Sequence, residues 1–231
     1  LVNAKNDFEL YIMLNLTQKL YYANILDDAQ IISFLSQFKN ITIEMYDDYF
    51  IKNILIKMKS YVPQMNIAFL ISSGKASTDY KDNNYISQVV VDTDIKVICE
   101  NACKLWNALT DITFKMPSSL TKIEDQAFCR CELLTKLIIP PSVIEIGSMA
   151  FYGCESLKQI LIPPSVKYMG YGVFCKCASL KQISIPPSLD AISSSAFKDC
   201  TSLEKILIPP SVKVIGDEAF NECDSLVQVT I

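Results

Sequence analysis

The sequence predicts a small α/β segment over residues 1–85, followed by a mainly-β solenoid of about six coils over residues 86–231, of which the first coil is degenerate. Three observations support the solenoid. A Phe, a Cys and a Leu each recur at one constant interval, which equals the sequence separation of Phe128 and Phe151 and is called the repeat interval below. A Pro-Pro-Ser tripeptide recurs at the same interval, and an apolar triplet precedes each tripeptide. One such coil cannot bury its apolar side alone, so consecutive coils must stack and share one core.

Three positions of the repeat hold the same residue type in five consecutive copies. They are Phe128, Phe151, Phe174, Phe197 and Phe220; Cys131, Cys154, Cys177, Cys200 and Cys223; and Leu134, Leu157, Leu180, Leu203 and Leu226. The Pro-Pro-Ser tripeptide occupies positions 140–142, 163–165, 186–188 and 209–211; Pro117 matches its first Pro, with Ser118 in place of the second. A phase kept over about a hundred residues is the signature of a repeat architecture.

Each coil is predicted to begin with a short strand, formed by the triplets at 137–139, 160–162, 183–185 and 206–208. Side chains alternate along a strand, so the first and third should point into the coil and the middle one outward. The Pro pair then ends the strand, because Pro lacks an N–H and fixes φ. The triplet at 229–231 ends the sequence, which leads us to expect either further repeats or a cover over the last coil.

The second half of each coil is predicted to carry another inward pair, such as Val143 and Ile146, and then an Ala-Phe turn that drops the ring into the core. Between these features, three copies hold a glycine: Gly147, Gly170 and Gly216. That position is expected to need either a positive φ or a close approach of two backbones. Ser193 and Glu124 replace the glycine in two copies, so the requirement is not absolute.

Residues 86–109 are interpreted as an atypical first coil, since terminal repeats often cap a solenoid. The triplet at 89–91 matches the one at 137–139 at an offset of two repeat intervals plus two residues. On that offset Cys103 takes the Phe position and Trp106 the Cys position. The two extra residues are expected between Leu109 and Pro117.

Residues 1–85 lack the repeat. Apolar spacing predicts helices over 8–22, 27–38 and 47–58, and strands over 41–45 and 66–71. The order of strand, helix and strand suggests a βαβ unit packed on or beside the first coil. The segment 72–84 is polar and is the expected linker.

Composition excludes several classes of function. The net charge is −4, and Arg130 is the only arginine in the chain. A nucleic-acid partner is therefore not predicted, because such binding starts from a basic patch. The sequence has no His, which excludes His-based catalysis and His-ligated zinc within it. No transmembrane segment is predicted, because no apolar run reaches the length of roughly 18 residues that a bilayer-spanning helix needs.

The nine cysteines are interpreted as structural rather than chemical. Five occupy the repeat position, where a small side chain suits an apolar interior. Cys129 and Cys175 should lie two coils apart, roughly 10 Å, which is beyond disulfide reach. The sequence therefore predicts no metal, no cofactor and no catalytic residue. A row of reduced thiols favours a cytoplasmic location, with the cell surface as the alternative.

The pattern Ile-x-Ile-Pro-Pro-Ser-Val-x-x-Ile-Gly-x-x-Ala-Phe-x-x-Cys-x-x-Leu resembles the BspA-like class of leucine-rich repeats. The resemblance covers residues 112–231 well and 86–111 loosely. It implies a leucine-rich-repeat solenoid. It also implies a role in protein binding or cell adhesion, since the family is known mainly from bacterial surface proteins and is expanded in some parasitic protists.

A partner-binding surface is predicted on the outward side of the strands. Its residues are Lys136, Ile138, Gln159, Leu161, Gln182, Ser184, Lys205 and Leu207. Aliphatic side chains in a row of Lys and Gln form an apolar stripe on the side where repeat proteins usually bind proteins. The plain alternatives are a cover from another part of the parent chain and simple strand propensity.

Two other functions remain open. In the first, the solenoid is a scaffold and residues 1–85 carry a ligand-binding or catalytic site. In the second, the protein is a surface adhesin, which glycans on the acceptor triplets at Asn15 or Asn40 would support.

Overall fold

The computed structural model describes residues 87–91 and 93–231, the strands at 40–44 and 66–71, and Gln30. The helices predicted over 8–22 and 47–58 and the linker over 72–84 lie outside the described residues. Of the helix predicted over 27–38, only Gln30 is described, and it is helical. The strands predicted over 41–45 and 66–71 are present.

Parallel strands make up the described fold. They are β1 Asn40–Glu44, β2 Asn66–Ile71, β3 Gln88–Val91, β4 Val97–Ile98, β5 Asp111–Phe114, β6 Lys122–Ile123, β7 Lys136–Ile138, β8 Glu145–Ile146, β9 Gln159–Leu161, β10 Tyr168–Met169, β11 Gln182–Ser184, β12 Ala191–Ile192, β13 Lys205–Leu207, β14 Val214–Ile215 and β15 Gln228–Thr230. From β3 onward, each of six coils supplies one longer strand and one two-residue strand. The fold is therefore the predicted mainly-β solenoid.

The strands stack into two faces. The first face carries the longer strands, hydrogen-bonded in the orders β1-β2-β3-β5, β7-β9 and β11-β13-β15. The second face carries the two-residue strands, in the orders β4-β6-β8-β10 and β12-β14. Each strand ends after a few residues. Within each coil the chain therefore passes from the first face to the second and back to the first, and so encloses the core.

Side chains on the first face alternate as predicted. In the triplet that includes β7, Leu137 and Ile139 are buried while Ile138 is exposed. The Pro pair that follows begins a turn, in which the N–H of Val143 donates to the carbonyl of Pro140 across 3.1 Å. The alternation predicted for the strands is therefore confirmed.

The strand register locates the two extra residues of the degenerate coil. On the first face, Val89 of β3 pairs with Ile112 of β5, which lies one repeat interval further along the chain. On the second face, Ile98 of β4 pairs with Ile123 of β6, which lies two residues beyond one interval. The insertion therefore falls between β5 and β6, a range that overlaps its expected place between Leu109 and Pro117.

A third set of backbone hydrogen bonds joins the coils in the turn that carries the repeated Phe. The N–H groups of Gln126, Phe128 and Arg130 donate to carbonyls of the next coil, across 2.6–2.9 Å. The same three bonds recur at all five coil junctions between positions 101 and 221. All of them run in one direction, from an N–H in one coil to a carbonyl in the following coil.

This one-directional ladder depends on residues with a left-handed backbone. In every coil the first and third positions of the ladder have positive φ: Asn101, Leu105, Gln126, Arg130, Met149, Gly153, Gly172, Lys176, Ser195, Asp199, Glu218 and Glu222. At each of the five junctions, the N–H groups of these two positions and of the residue midway between them all donate to the following coil. Only two of the twelve are glycines. The eight other residues of the first five coils donate hydrogen bonds across the junctions, which offset their strain, whereas Glu218 and Glu222 in the last coil have no such bond among those described.

The repeated glycines act through one of the two mechanisms expected for them. Gly147, Gly170 and Gly216 do not have positive φ, whereas Gly153 and Gly172 do. A Cβ added at Gly170 would lie 2.6 Å from the Cα of Ser148 in the preceding coil. Glycine is therefore favoured at this position because two backbones pass close to each other, although Ser193 and Glu124 occupy it in two other coils.

The core consists of ladders of identical side chains. Five Phe rings stack from Phe128 to Phe220, with centroids 5.4–5.7 Å apart and planes within 17° of parallel. In the degenerate coil, Cys103 and Trp106 occupy the Phe and Cys positions, and both are buried. The degenerate coil therefore fills the same part of the core with different residue types.

The N-terminal strands continue the first face. Strand β2 pairs in parallel with β3, and β1 pairs in parallel with β2. Their registers place Asn40 beside Asn66 and Ala68 beside Gln88. The sequence separation of Asn40 and Asn66 is three residues longer than the repeat interval, and that of Ala68 and Gln88 is three residues shorter. These strands therefore pair at close to the repeat interval, although the segment lacks the repeated residues. The division of the chain after residue 85 stays a prediction.

Candidate functional site

A shallow groove runs across the first face, perpendicular to the strands. Its volume is about 570 Å³, and it extends from β7 to β15. All eight residues of the predicted surface line it: Lys136, Ile138, Gln159, Leu161, Gln182, Ser184, Lys205 and Leu207, joined by Gln228 and Thr230. The structure thus brings the predicted residues together in one concavity, and their role in binding stays a prediction.

One column of the groove is apolar. Ile138, Leu161 and Leu207 are between 49% and 62% exposed, which is high for large aliphatic side chains. Strand pairing places Ile138 directly beside Leu161, and Ser184 beside Leu207. The three aliphatics therefore lie along one line, interrupted by the small hydroxyl of Ser184.

The neighbouring column is polar and lies two residues earlier along each strand. Lys136 pairs with Gln159, and Gln182, Lys205 and Gln228 form a continuous row. Lys136 and Lys205 are the only charged residues that line the groove. The groove thus presents amide and ammonium donors next to aliphatic carbon.

A second concavity of about 380 Å³ adjoins the groove near β5. It shares Lys136 and Ile138 with the groove, and adds Phe114 and Met116. Met116 follows β5, where the two extra residues are accommodated, and is 60% exposed. The repeat pattern did not place it at the site, although it indicated the insertion nearby. The apolar surface therefore reaches beyond the eight predicted residues.

The second face also exposes large side chains. Ile144, Tyr168 and Tyr171 are between 40% and 52% exposed. Near them Lys122 and Glu145 form an ion pair across 3.3 Å, with both side chains largely in solvent. This face lends itself to control substitutions, because its residues match those of the groove in exposure.

All nine cysteines are described and reduced. Burial raises the pKa of Cys129 and Cys175, although nearby lysines, and Arg130 beside Cys129, lower it in part. Burial also raises the pKa of every thiol in the repeat ladder, and that of Cys223 reaches about 11. These thiols are protonated at neutral pH, which is the opposite of what a nucleophile or a metal ligand needs.

Within the described ranges, no group of three or more acidic or thiol side chains is arranged to hold a metal ion. Over the same ranges, no helix is long and apolar enough to cross a membrane.

Known proteins share the repeat pattern and the fold of this chain. The family model for "BspA type Leucine rich repeat region" matches residues 96–227 in six copies. No curated protein matches the sequence. Among solved structures, a leucine-rich repeat protein of T. pallidum has a TM-score of 0.66 and 24% identity, over 82% of this chain and 84% of that one.

A leucine-rich repeat protein of Bacteroides ovatus also matches, with a TM-score of 0.36 and 19% identity over 83% of this chain and 78% of that one. A leucine-rich cell surface protein of Faecalibacterium prausnitzii matches with a TM-score of 0.33 and 21% identity, over 73% of this chain and 65% of that one. At these identities the likeness concerns the fold alone.

Proposed function

Since the chain belongs to the BspA-type leucine-rich repeat family, we propose that it is a non-catalytic binding module whose first face holds a protein partner in the groove between β7 and β15. Proteins of this family are generally surface or interaction proteins, and their repeats are typically non-catalytic. Leucine-rich repeat proteins generally bind proteins. The proposal assigns that activity to one surface.

The exposure of three aligned aliphatics in a concavity is the observation that supports this surface. Fully burying a Leu or Ile side chain contributes about 1.5–3 kcal/mol, so covering the exposed half of Ile138, Leu161 and Leu207 would contribute roughly 3 kcal/mol together. The groove around them is concave, which lets a partner contact several coils at once. The polar column beside them supplies directional hydrogen bonds, which give an interface its specificity.

The test compares two triple variants in affinity capture of partners from a cell lysate. The first is Ile138→Glu/Leu161→Glu/Leu207→Glu, which places charge along the groove. The matched control is Ile144→Glu/Tyr168→Glu/Tyr171→Glu, which makes the same change on the second face. All six positions are largely exposed, so each variant should fold, as circular dichroism and thermal unfolding will verify.

We expect proteins held by the parent chain to be lost from the groove variant and kept by the control. Retention of the same proteins by the groove variant would refute the proposal. Loss from the control alone would move the site to the second face.

A further inference from the structure

Building on the proposed function, we infer that the partner segment held in the groove is acidic as well as apolar: a stretch of polypeptide that carries Asp or Glu on one side and aliphatic or aromatic side chains on the other. The inference rests on the charge that the fold gathers at the first face. It names the chemistry of the occupant, which the repeat pattern alone does not give.

The groove is a positive region on a negative protein. Its two charged lining residues are both lysines, Lys136 and Lys205. Lys158 and Lys181 lie immediately before β9 and β11, and Glu204 immediately before β13. The groove and its entrance thus hold four lysines against one glutamate, whereas the whole chain has a net charge of −4.

Most of these lysines have no internal counter-ion. Lys181 approaches Glu204 at 3.8 Å, so that pair neutralises itself in part. The other ion pairs among the described residues involve basic side chains outside the groove, namely Lys122, Arg130 and Lys198. No ion pair within the described ranges includes Lys136, Lys158 or Lys205. Their charge is available to a ligand.

Asp111, the acid at the start of β5, adds a second negative charge at one end of this region. Asp111 and Lys136 both line the smaller concavity. The carboxylate of Asp111 accepts a hydrogen bond from the hydroxyl of Thr113 across 3.0 Å on the same strand. This hydrogen bond comes from a neutral hydroxyl and does not neutralise the carboxylate. Four lysines therefore stand against two acids, Asp111 and Glu204, and the region around the groove keeps a net positive charge.

The amide side chains of the polar column also favour a ligand that accepts hydrogen bonds. Gln159 and Gln182 lie in the two strands between those of Lys136 and Lys205. Each amide can donate two hydrogen bonds, and each ammonium can donate three. A carboxylate accepts from both types of group, so an acidic side chain satisfies every position along the column.

The spacing of the column describes the occupant further. Lys136 and Lys205 are three strand steps apart, roughly 14 Å at the usual distance between strands. The apolar column runs parallel to this line, two residues along each strand. Carboxylates set about that far apart on one side of a segment, with apolar side chains on the other, would fit both columns. That distance needs roughly four to five residues of extended chain or nine to ten of helix.

A polypeptide fits better than a polyanion such as heparin or nucleic acid. Polyanion sites are rich in arginine and lysine and owe most of their affinity to phosphate or sulfate contacts. Here Arg130, the only arginine, is in the Phe-bearing turn rather than on the first face. Ile138, Leu161 and Leu207 would stay exposed under a polyanion, whereas an amphipathic peptide covers them.

The test is a selection of random dodecapeptides displayed on phage, carried out against the full chain. Binders that also recognise the Ile138→Glu/Leu161→Glu/Leu207→Glu variant are removed first. We expect the remaining peptides to carry two or more Asp or Glu together with Leu, Ile or Phe. Their affinity should fall as NaCl rises from about 50 to about 500 mM, because salt screens surface charges.

A double variant then isolates the charge. Lys136→Gln/Lys205→Gln should weaken these peptides about fivefold at low salt, since each exposed ion pair contributes only a fraction of a kcal/mol to about one. The matched control Lys167→Gln/Lys213→Gln removes two lysines beside the second face and should leave the affinity unchanged. Both variants keep the groove's apolar column intact.

The outcomes separate this inference from the proposed function. Groove-dependent peptides that are neutral or basic, or that bind the Lys136→Gln/Lys205→Gln variant unchanged, would overturn the acidic partner and leave the groove as the site. A selection that yields no groove-dependent peptide would overturn both. Retention on heparin that the same double variant abolishes, without acidic peptides among the binders, would identify a polyanion site instead and overturn the inference.

Discussion

The thiol of Cys177 donates a hydrogen bond to the backbone carbonyl of Phe151, 3.3 Å away in the preceding coil. The same bond recurs from Cys154 to Phe128, from Cys200 to Phe174 and from Cys223 to Phe197. In the degenerate coil the carbonyl of Cys103, which occupies the Phe position, accepts from Cys131. The repeated Cys thus joins adjacent coils in addition to filling space.

We expect Cys177→Ala to lower the free energy of unfolding by about 1–2 kcal/mol. The change removes a buried sulfur, which leaves a small cavity, and it removes a weak hydrogen bond between coils. The matched control is Cys175→Ala, because Cys175 is also buried but has no described hydrogen bond from its thiol. Urea unfolding followed by circular dichroism measures both. Equal destabilisation by the two variants would show that the bond to Phe151 contributes nothing.

The thiol ladder should also make the fold sensitive to alkaline pH. Burial raises the pKa of Cys154 and Cys177, and raises that of Cys223 to about 11. A thiol whose pKa is higher in the folded state stabilises the fold fully below the pKa of the unfolded chain, about 8.5, and this contribution is lost as the pH rises above it.

The urea midpoint should therefore fall between pH 8 and pH 10, in the presence of a reductant. For each fully buried thiol, the free energy of unfolding should fall by up to about 1.4 kcal/mol per pH unit above about 8.5. Replacing Cys177 by Val, which does not ionise, should make the fall shallower. A midpoint that stays constant over this range would contradict the prediction.

The parts of the fold that could be predicted from the sequence are those encoded by side chains. The constant interval between Phe128 and its equivalents indicated the coils, and the alternation around Ile138 indicated the exposed column. The one-directional ladder could not be predicted in this way, because its bonds join N–H and C=O groups that nearly every residue has. Ten of its twelve left-handed residues are not glycine, so the usual signal for positive φ was missing.

The glycine positions show the same limit. The recurrence of Gly170 and its equivalents marked the position but left two explanations open. The φ values and the distance to Ser148 decide between them, and close approach of backbones from adjacent coils depends on how the coils stack. Ser193 occupies the equivalent position in the next coil, where its hydroxyl donates to the carbonyl of Met169. The position thus accommodates the side chain of Ser193, whose hydrogen bond to Met169 compensates for the crowding.

Two alanine substitutions should separate these two roles of glycine. Gly170→Ala should lower the free energy of unfolding by about 2–3 kcal/mol, because the new Cβ would meet the backbone of Ser148. Gly172→Ala should cost only about 1 kcal/mol, because its φ of 56° is strained for alanine but its nearest neighbour, Met149 Cγ, is 3.6 Å away. Urea midpoints rank the two variants. The reverse ranking would mean that the added Cβ at Gly170 is accommodated, and that close approach does not explain the repeated glycine.

A glycine placed at a strained position of the ladder should stabilise the protein. Glu222 has a φ of 56° and its side chain is exposed, so replacing it removes strain without removing a buried contact. A left-handed backbone costs a non-glycine residue about 1–2 kcal/mol, and the added flexibility of glycine in the unfolded chain costs about 0.5–1 kcal/mol. Glu222→Gly should therefore raise the free energy of unfolding by about 0.5–1 kcal/mol, as measured by urea unfolding.

The control for this substitution is Asp224→Gly, two residues further along. Asp224 is also exposed and acidic, but its φ is not positive. Glycine there brings only the entropic cost, so this variant should be less stable than the parent by about 0.5–1 kcal/mol. Because both variants remove one negative charge from the last coil, their difference reports the backbone alone. If both midpoints moved in the same direction, the left-handed conformation at Glu222 would not be strained.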